Sequence, residues 1–211
     1  MKPEEALKEI RKSEERNFNQ SIDLIVNLKK FDVKKTSINT FITIPYKIRE
    51  KKLFGFIDLK SDLIETIPKN NFQLYKDKKK IKNLLKKYDF FISSMVNMPS
   101  VATTFGRLLG PSGKMPSPKM GIITNEDEKS IKEVIEKINK SIKVQTKEPS
   151  IKVVIGVEKM PDNEIIENIK QFYSTLIHEL PLGKDNIKNV MIKLTMCKPV
   201  KVEIWNGCWK K

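Results

Sequence analysis

The N-terminal part of the chain alternates apolar and polar residues, first with helical and then with strand periodicity. Ala6 and Ile10 lie on the apolar side of a charged helix predicted from Pro3 to Glu15. The stretch NFNQSIDLIVNLKKF then alternates with a period of two, which predicts a strand with one solvated face. One side of this strand holds Phe18, Gln20, Ile22, Leu24, Val26 and Leu28. TSINTFITIP repeats the alternation until Pro45, so the two strands are predicted to form an antiparallel pair.

From Lys51 the pattern changes to short apolar runs separated by amphipathic segments. KKLFGFI, NFQLYK and YDFFIS are predicted strands, whereas DKKKIKNLLKKY and EDEKSIKEVIEKINKS have the periodicity of helices. Short apolar strands between helices are typical of a parallel sheet that is covered on both faces. After Pro149 the first pattern returns, with a strand in SIKVVIGVEKM, a helix in PDNEIIENIKQFYSTLIHEL and a last strand in NVMIKLTMCKPVKVEIW.

These patterns predict two domains, one inserted into the other. Residues 1–48 and 150–211 form a discontinuous α+β domain, and residues 50–148 form an inserted three-layer α/β (Rossmann-like) domain. Two connections, PYKIRE and TKEP, join the domains. A pair of short linkers predicts a hinge between them.

The composition indicates a protein with a hydrophobic core and a polyanionic partner. Hydrophobic residues make up 39% of 211 residues, and the chain has no apolar run long enough to span a membrane. The charged N-terminus is not a secretory signal, and only two cysteines are present, so a cytoplasmic protein is expected. The formal net charge of +15 points to nucleic acid.

The charge is unevenly distributed between the predicted domains. The net charge is +3 for residues 1–50, +9 for residues 51–148 and +3 for residues 149–211. Electrostatics alone therefore favours the middle domain, near KDKKKIKNLLKK, as the site of a polyanion. A solvated lysine face on an amphipathic helix is the competing interpretation.

The stretch FGRLLGPSGKMPSPKMG, residues 105–121, is rich in glycine and proline and predicts a rigid loop. It is not a phosphate-binding P-loop, because Leu108 occupies the position of the first glycine and Met115 follows Lys114. The glycine spacing also fails the dinucleotide-binding pattern. A structural or RNA-facing loop is the better interpretation.

The chain shows no catalytic or metal-binding pattern, and no cofactor is expected. The lone His178 shares a polar helix face and is predicted to be solvated, without a nearby nucleophile. Two cysteines without a CxxC motif and one histidine make a structural zinc site improbable. Trp205 and Trp209 near the C-terminus are candidates for stacking on a base or for a partly buried tail.

Four stretches in the same order resemble the ribosomal protein L-one family, and the resemblance covers nearly the whole chain. They are RNFNQSIDLIVNLK, KYDFFIS, GRLLGPSGKMPSPKMG and KLTMCKPVKV. VEKMPDNEIIENI is similar to archaeal members in particular. The resemblance implies a non-enzymatic constituent of the large ribosomal subunit, localised to the cytoplasmic ribosome and monomeric within it. It would bind large-subunit rRNA, form the mobile stalk near the tRNA exit site and aid release of deacylated tRNA. Repression of its own mRNA is also implied.

The resemblance further implies that the discontinuous domain is the main RNA binder. The implied RNA-binding residues are Arg16, Phe18, Ser21, Lys193, Thr195, Met196, Lys198 and Lys201. Hydroxyls of Ser21 and Thr195 would pair with ribose, the apolar residues would exclude water, and the basic residues would attract phosphates.

Two residues depart from the family pattern. Cys197 stands where the family usually has glycine, and Ser112 stands where arginine is common. Two other functions stay open at this point, namely a nucleotide-dependent enzyme that uses the α/β domain and a general single-strand RNA binder.

Overall fold

A computed structural model describes residues 1–12, 17–33, 36, 38–59, 61, 63–75, 77–124 and 127–203. The helices are α1 (Pro3–Arg11), α2 (Lys78–Lys87), α3 (Met98–Ser112), α4 (Glu128–Asn139) and α5 (Asp162–Glu179). The strands are β1 (Ser21–Leu28), β2 (Asn39–Thr43), β3 (Leu53–Phe56), β4 (Glu65–Thr66), β5 (Phe90–Ser94), β6 (Ile122–Ile123), β7 (Ser141–Gln145), β8 (Ser150–Val157), β9 (Ile187–Leu194) and β10 (Val200–Val202). Short 3₁₀ helices span Lys69–Tyr75 and Gly183–Asn186.

The chain divides into two compact units, one discontinuous and one continuous. The discontinuous unit comprises Met1–Ile48 and the chain from Lys140 onward, and the inserted unit comprises Arg49–Asn139. Each unit has a separate cluster of buried hydrophobic residues. Among the described residues, no helix is both long and apolar enough to cross a membrane.

The discontinuous unit contains an antiparallel sheet with the strand order β10-β9-β1-β8. Every second residue of β1 is buried, beginning with Ile22 and Leu24, as the period-two pattern predicts. These residues join a core with Leu7 of α1 and Phe172 of α5. One face of the sheet is thus covered by helices, and the other carries the alternate, less buried residues.

The predicted pairing of the first two strands is wrong. β1 pairs with β8 and β9, whereas β2 pairs with β7 in a separate antiparallel ribbon. Residues 141–145 therefore lie in the discontinuous unit, and its boundary is at residues 139–140 instead of 148–150. The physical reason is that β2 finds its backbone partners in a segment about one hundred residues later, which no local pattern specifies.

The predicted last strand is interrupted by a turn. β9 ends at Leu194, residues 195–199 form the turn, and β10 returns antiparallel to β9. The amide of Cys197 donates a hydrogen bond to the carbonyl oxygen of Leu194 at 3.0 Å, which closes the turn. Thr195 and Met196 therefore lie at one end of the sheet and outside its ladder.

The inserted unit contains the predicted parallel sheet, with the strand order β4-β3-β5-β6. This order is 2-1-3-4 in sequence, as in flavodoxin-like folds, and differs from the Rossmann order 3-2-1-4. Phe54, Phe56 and Phe91 pack with residues of α2 and α3 on one side of the sheet. All residues of β3 and β5 are buried, as expected for strands that are covered on both faces.

Residues 71–75 of the segment NFQLYK are not in a strand but belong to the 3₁₀ helix Lys69–Tyr75. Its buried Phe72 and half-buried Tyr75 are three residues apart, which matches the three-residue turn of that helix. The apolar run was too short for its periodicity to distinguish a strand from a tight helix.

The glycine-rich loop is shorter than predicted, because α3 continues to Ser112 and includes the first half of the stretch. Gly113 ends the helix with a φ of 67°, a left-handed conformation that favours glycine. The ammonium of Lys114 donates to the carbonyl oxygens of Leu85 at 2.8 Å and Tyr88 at 2.7 Å. Lys114 thus binds the C-terminal end of α2, which supports a structural role for the Gly-Lys pair.

Candidate nucleic-acid interface

The hydroxyl groups of Ser21 and Thr195 meet where β1 begins and β9 ends. Ile22 lies opposite Leu194 in the ladder, which places the preceding Ser21 beside the following Thr195. The two side-chain oxygens are 2.8 Å apart, and the Thr195 hydroxyl also donates to the Ser21 carbonyl oxygen at 3.2 Å. The Thr195 amide donates to that same carbonyl oxygen at 3.1 Å. A pair of hydroxyls is therefore held in one geometry at the end of the sheet.

Two large apolar side chains lie near this hydroxyl pair and are exposed. The exposed fraction is 53% for Phe18 and 61% for Met196. Such exposure costs free energy in water and is typical of a contact surface. The backbone amide of Met196 donates to the side-chain oxygen of Gln20 at 3.4 Å, so the turn is connected to the start of β1. An incoming surface could bury both apolar side chains beside the two hydroxyls.

Gln20 connects three segments beneath this surface. It is only 1% exposed, and its backbone amide donates to the Glu158 carboxylate at 3.1 Å. The amide of Glu158 donates back to the Gln20 carbonyl oxygen at 2.9 Å. Gln20 thereby ties the start of β1 to the turns that follow β8 and β9. Gln20 is not among the residues predicted from the sequence, although a polar residue on the apolar side of a strand is a signal of such a role.

We expect Gln20→Met to loosen the turn that carries Thr195 and Met196. Methionine has a similar length but cannot accept the Met196 amide, so hydrogen exchange at that amide should become faster. Global stability should change little, because the substitution also removes the buried Gln20 Nε2, which has no hydrogen-bond partner. RNA affinity should fall several-fold.

Gln20→Glu is the matched control, because it keeps an acceptor oxygen for Met196 and should preserve slow exchange there. Its carboxylate would be buried, so its folded state should be less stable at neutral pH than at acidic pH. Unchanged Met196 exchange in Gln20→Met would contradict the positioning role.

Three of the predicted basic residues lie on the same sheet as the hydroxyl pair or in the turn beside it. Lys193 lies opposite Asp23 in the ladder, whereas Lys198 and Lys201 are exposed in the turn and on β10. Burial raises the pKa of the Asp23 carboxyl, and the Lys193 ammonium and the Ser21 hydroxyl partly oppose this shift. Arg16 lies outside the described residues, as do Trp205 and Trp209. Phe18, Ser21, Lys193, Thr195, Met196 and Lys198 are therefore near one end of the sheet, and Lys201 lies on the adjacent strand.

The two departures from the family pattern have local explanations. Lys30 is the one non-glycine residue with positive φ in the described part of the chain, so Cys197 has an ordinary backbone conformation. The Cys197 side chain is half-buried and packs against the core. The Ser112 hydroxyl donates to the carbonyl oxygen of Leu109 at 2.8 Å near the end of α3.

The other candidate sites are His178, a metal site and the lysines of α2. His178 is exposed on α5, as predicted. Across the residues that the structure describes, no group of histidine, cysteine and carboxylate side chains could hold a metal ion. The lysines of α2 follow a solvated pattern, since Lys79, Lys80 and Lys82 are exposed while Ile81 is buried. Lys80 donates to a backbone carbonyl, and Lys87 pairs with Glu65, so part of this charge is engaged within the unit.

Residues 10–198 match the model of the Ribosomal protein L1p/L10e family. The chain belongs to this family. Similar proteins include large ribosomal subunit protein uL1 of Pyrococcus horikoshii, with 33% identity over 214 residues that cover 94% of each chain. The uL1 protein of Methanocaldococcus jannaschii is 34% identical, and the match covers 94% of each chain. The uL1 protein of Nanoarchaeum equitans is 33% identical, and the match covers 93% of this chain and 97% of that protein. Family membership makes this a ribosomal protein, localised to the ribosome, and confirms the resemblance seen in the sequence.

Proposed function

We propose that this L1p/L10e protein binds large-subunit rRNA through the end of the sheet in its discontinuous unit. The observation that carries the proposal is the Ser21–Thr195 hydroxyl pair, whose oxygens are 2.8 Å apart, with the exposed Phe18 and Met196 close to it along the chain. The relatives are named as large-subunit proteins, which supports rRNA as the partner.

The chemistry of this surface suits folded RNA. Structured RNA is recognised through its shape, its phosphates and its ribose 2′-hydroxyls, which both donate and accept hydrogen bonds. Ser21 and Thr195 offer matching groups, and Phe18 and Met196 would exclude water from those bonds. A polar contact in a dry environment is electrostatically stronger, so few charges suffice for tight binding. Arg16, Lys193, Lys198 and Lys201 would add phosphate attraction that depends on salt.

In the assembled particle we propose a single copy of this chain in the mobile stalk near the tRNA exit site. The two units would move about the two chain crossings near residues 48 and 140, so that the stalk accompanies deacylated tRNA as it leaves. The basic excess of the inserted unit would serve weaker contacts with rRNA or tRNA. An mRNA element that resembles the rRNA site would let the protein repress its own translation.

Competition binding tests the proposal. A labelled transcript of the stalk region of archaeal large-subunit rRNA should bind tightly, and the unlabelled transcript should displace it far better than poly-U at equal nucleotide concentration. Binding should weaken with salt, because phosphates are neutralised. Equal competition by poly-U would instead indicate a general single-strand binder. Micromolar binding of ATP, GTP or NAD without any rRNA affinity would support the enzyme hypothesis.

A further inference from the structure

The open face of the four-stranded sheet in the discontinuous unit carries a second organised surface. Residues of β1 that alternate with the buried ones point to this face, which lies opposite the helices. The open face is defined by Ser21, Asp23, Ile25, Asn27, Ser150, Lys152, Val154, Asn189, Met191, Lys193 and Lys201. All of these side chains are half-buried or exposed.

The ladder arranges the open face in rows across the strands. Ile25 lies opposite Lys152 on one side and Met191 on the other, and Lys201 lies opposite Met191. The row therefore reads lysine, isoleucine, methionine, lysine. In the neighbouring row, Val154 is 40% exposed and lies opposite Asp23, which lies opposite Lys193. The apolar pair Ile25 and Met191 is thus bordered by a lysine on each side.

A polar row lies farther along the same strands. The Asn27 side-chain amide donates to the Asn189 side-chain oxygen at 2.7 Å, and the Ser150 hydroxyl donates to the Asn27 side-chain oxygen at 2.9 Å. Three strands are therefore connected by side-chain hydrogen bonds. Each group retains further capacity to donate or accept, which suits ribose hydroxyls and base edges.

The open face is continuous with the hydroxyl pair. The Ser21 hydroxyl oxygen lies 3.4 Å from the Asp23 carboxylate, and Asp23 lies opposite Lys193, so the first row directly borders the contact surface proposed above. From Ser21 to Asn27 the face is about 20 Å long, and four strands make it about 14 Å wide. Single nucleic-acid-binding modules bury about 600–1,000 Å² of protein surface. The open face adds contact area to that of the turn.

We propose that the RNA footprint extends from the Ser21–Thr195 hydroxyl pair across the open face to the Asn27–Asn189–Ser150 row. This inference rests on the proposed rRNA-binding function. The face carries three lysines and one acidic residue, which is complementary to RNA. None of the residues that define it is aromatic, so it offers no stacking platform for splayed bases. It fits the sugar-phosphate backbone and shallow minor groove of folded RNA.

Methionine oxidation by hydrogen peroxide tests the extended footprint in the unmodified full chain. Peroxide transfers one oxygen atom to the thioether, and peptide mass spectrometry measures the rate at each methionine. Bound stalk rRNA should slow oxidation several-fold at Met191 on the open face and at Met196 in the turn. Met95 is 61% exposed in the inserted unit and is the internal control, whose rate should stay unchanged.

The outcomes separate the inference from the function on which it rests. Protection of Met196 without protection of Met191 would overturn the extended footprint and leave the turn as the binding site. Protection of neither would overturn both.

A second variant tests the charge at the far edge of the face. Lys152→Ala should reduce the slope of log affinity against log salt by about one, because one phosphate contact is lost. Its exposed ion pair with Glu148 contributes little to folding. Lys8→Ala, at an exposed position on α1, is the matched control and should keep the parent slope. An unchanged slope in Lys152→Ala would contradict the inference.

Discussion

Thr195→Val is expected to weaken binding of stalk rRNA by about tenfold to a hundredfold. The substitution keeps the volume of the side chain but removes the hydroxyl, which leaves a buried RNA partner unsatisfied at a cost of about 1–3 kcal/mol. The salt dependence of affinity should hardly change, because no charge is removed. Thr195→Ser keeps the hydroxyl and should retain most of the affinity. Filter binding or fluorescence titration at several salt concentrations measures these differences.

Thr195→Val is also expected to lower the stability of the protein in the absence of RNA. Thr195 bonds to both the hydroxyl and the carbonyl oxygen of Ser21, so valine should also destabilise the protein by about 0.5–1.5 kcal/mol. Thr175→Val is the matched control, since the Thr175 hydroxyl donates to the Gln171 carbonyl oxygen at 2.9 Å on α5. It should lose comparable stability and keep full RNA affinity. Parent-like RNA affinity in Thr195→Val would exclude Thr195 from the interface.

Deletion of the inserted unit is expected to leave a folded protein with most of the rRNA affinity. Residues 49–139 would be removed and Ile48 joined to Lys140 by a short glycine linker. The Ile44 amide donates to the Lys140 carbonyl oxygen at 2.7 Å, so the linker has to span only the four residues that follow Ile44. Each unit also has its own hydrophobic cluster. Thermal melting and titration with stalk rRNA measure the outcome.

A deletion at the sequence-based boundary provides the comparison. Removing residues 50–148 also removes β7, including Ile142 and Val144, and leaves β2 without its partner. This variant should melt at a clearly lower temperature or aggregate through the unpaired edge. Tighter binding of stalk rRNA by the isolated residues 49–139 than by the discontinuous unit would contradict the assignment. The lysines of α2 would then be the better candidates.

Periodicity predicted the kind and buried face of most elements, because each depends on residues close together in sequence. The alternation from Ser21 to Leu28 and the helical pattern from Asp162 to Glu179 agree with β1 and α5. The alternation also puts Gln20 on the buried side, whereas its hydrogen bond to the Met196 amide depends on the tertiary structure. The strand predicted around Phe72 is wrong because a run of six residues does not distinguish a strand from a 3₁₀ helix.

Strand partners could not be predicted from local pattern. β2 has the same alternation as β1, yet it pairs with β7 because hydrogen bonding between strands depends on the course of the whole chain. The residue at which α3 ends could not be predicted from local pattern either. Pro111 lies inside the helix near its end, and only Gly113 adopts the left-handed conformation that stops it. Glycine and proline content alone therefore predicted a longer loop than the structure contains.

The sequence by itself determined the two kinds of sheet, the faces of the strands and, through ordered motifs, the ribosomal family. The tertiary structure alone decided how Ser21 and Thr195 form one surface. They are 174 residues apart, and their hydroxyls meet at 2.8 Å only because β1 pairs antiparallel with β9. The open face depends on the same pairing, since Ile25, Lys152 and Met191 belong to three strands. Side-chain identity sets the chemistry of such a surface, and strand register sets which side chains share it.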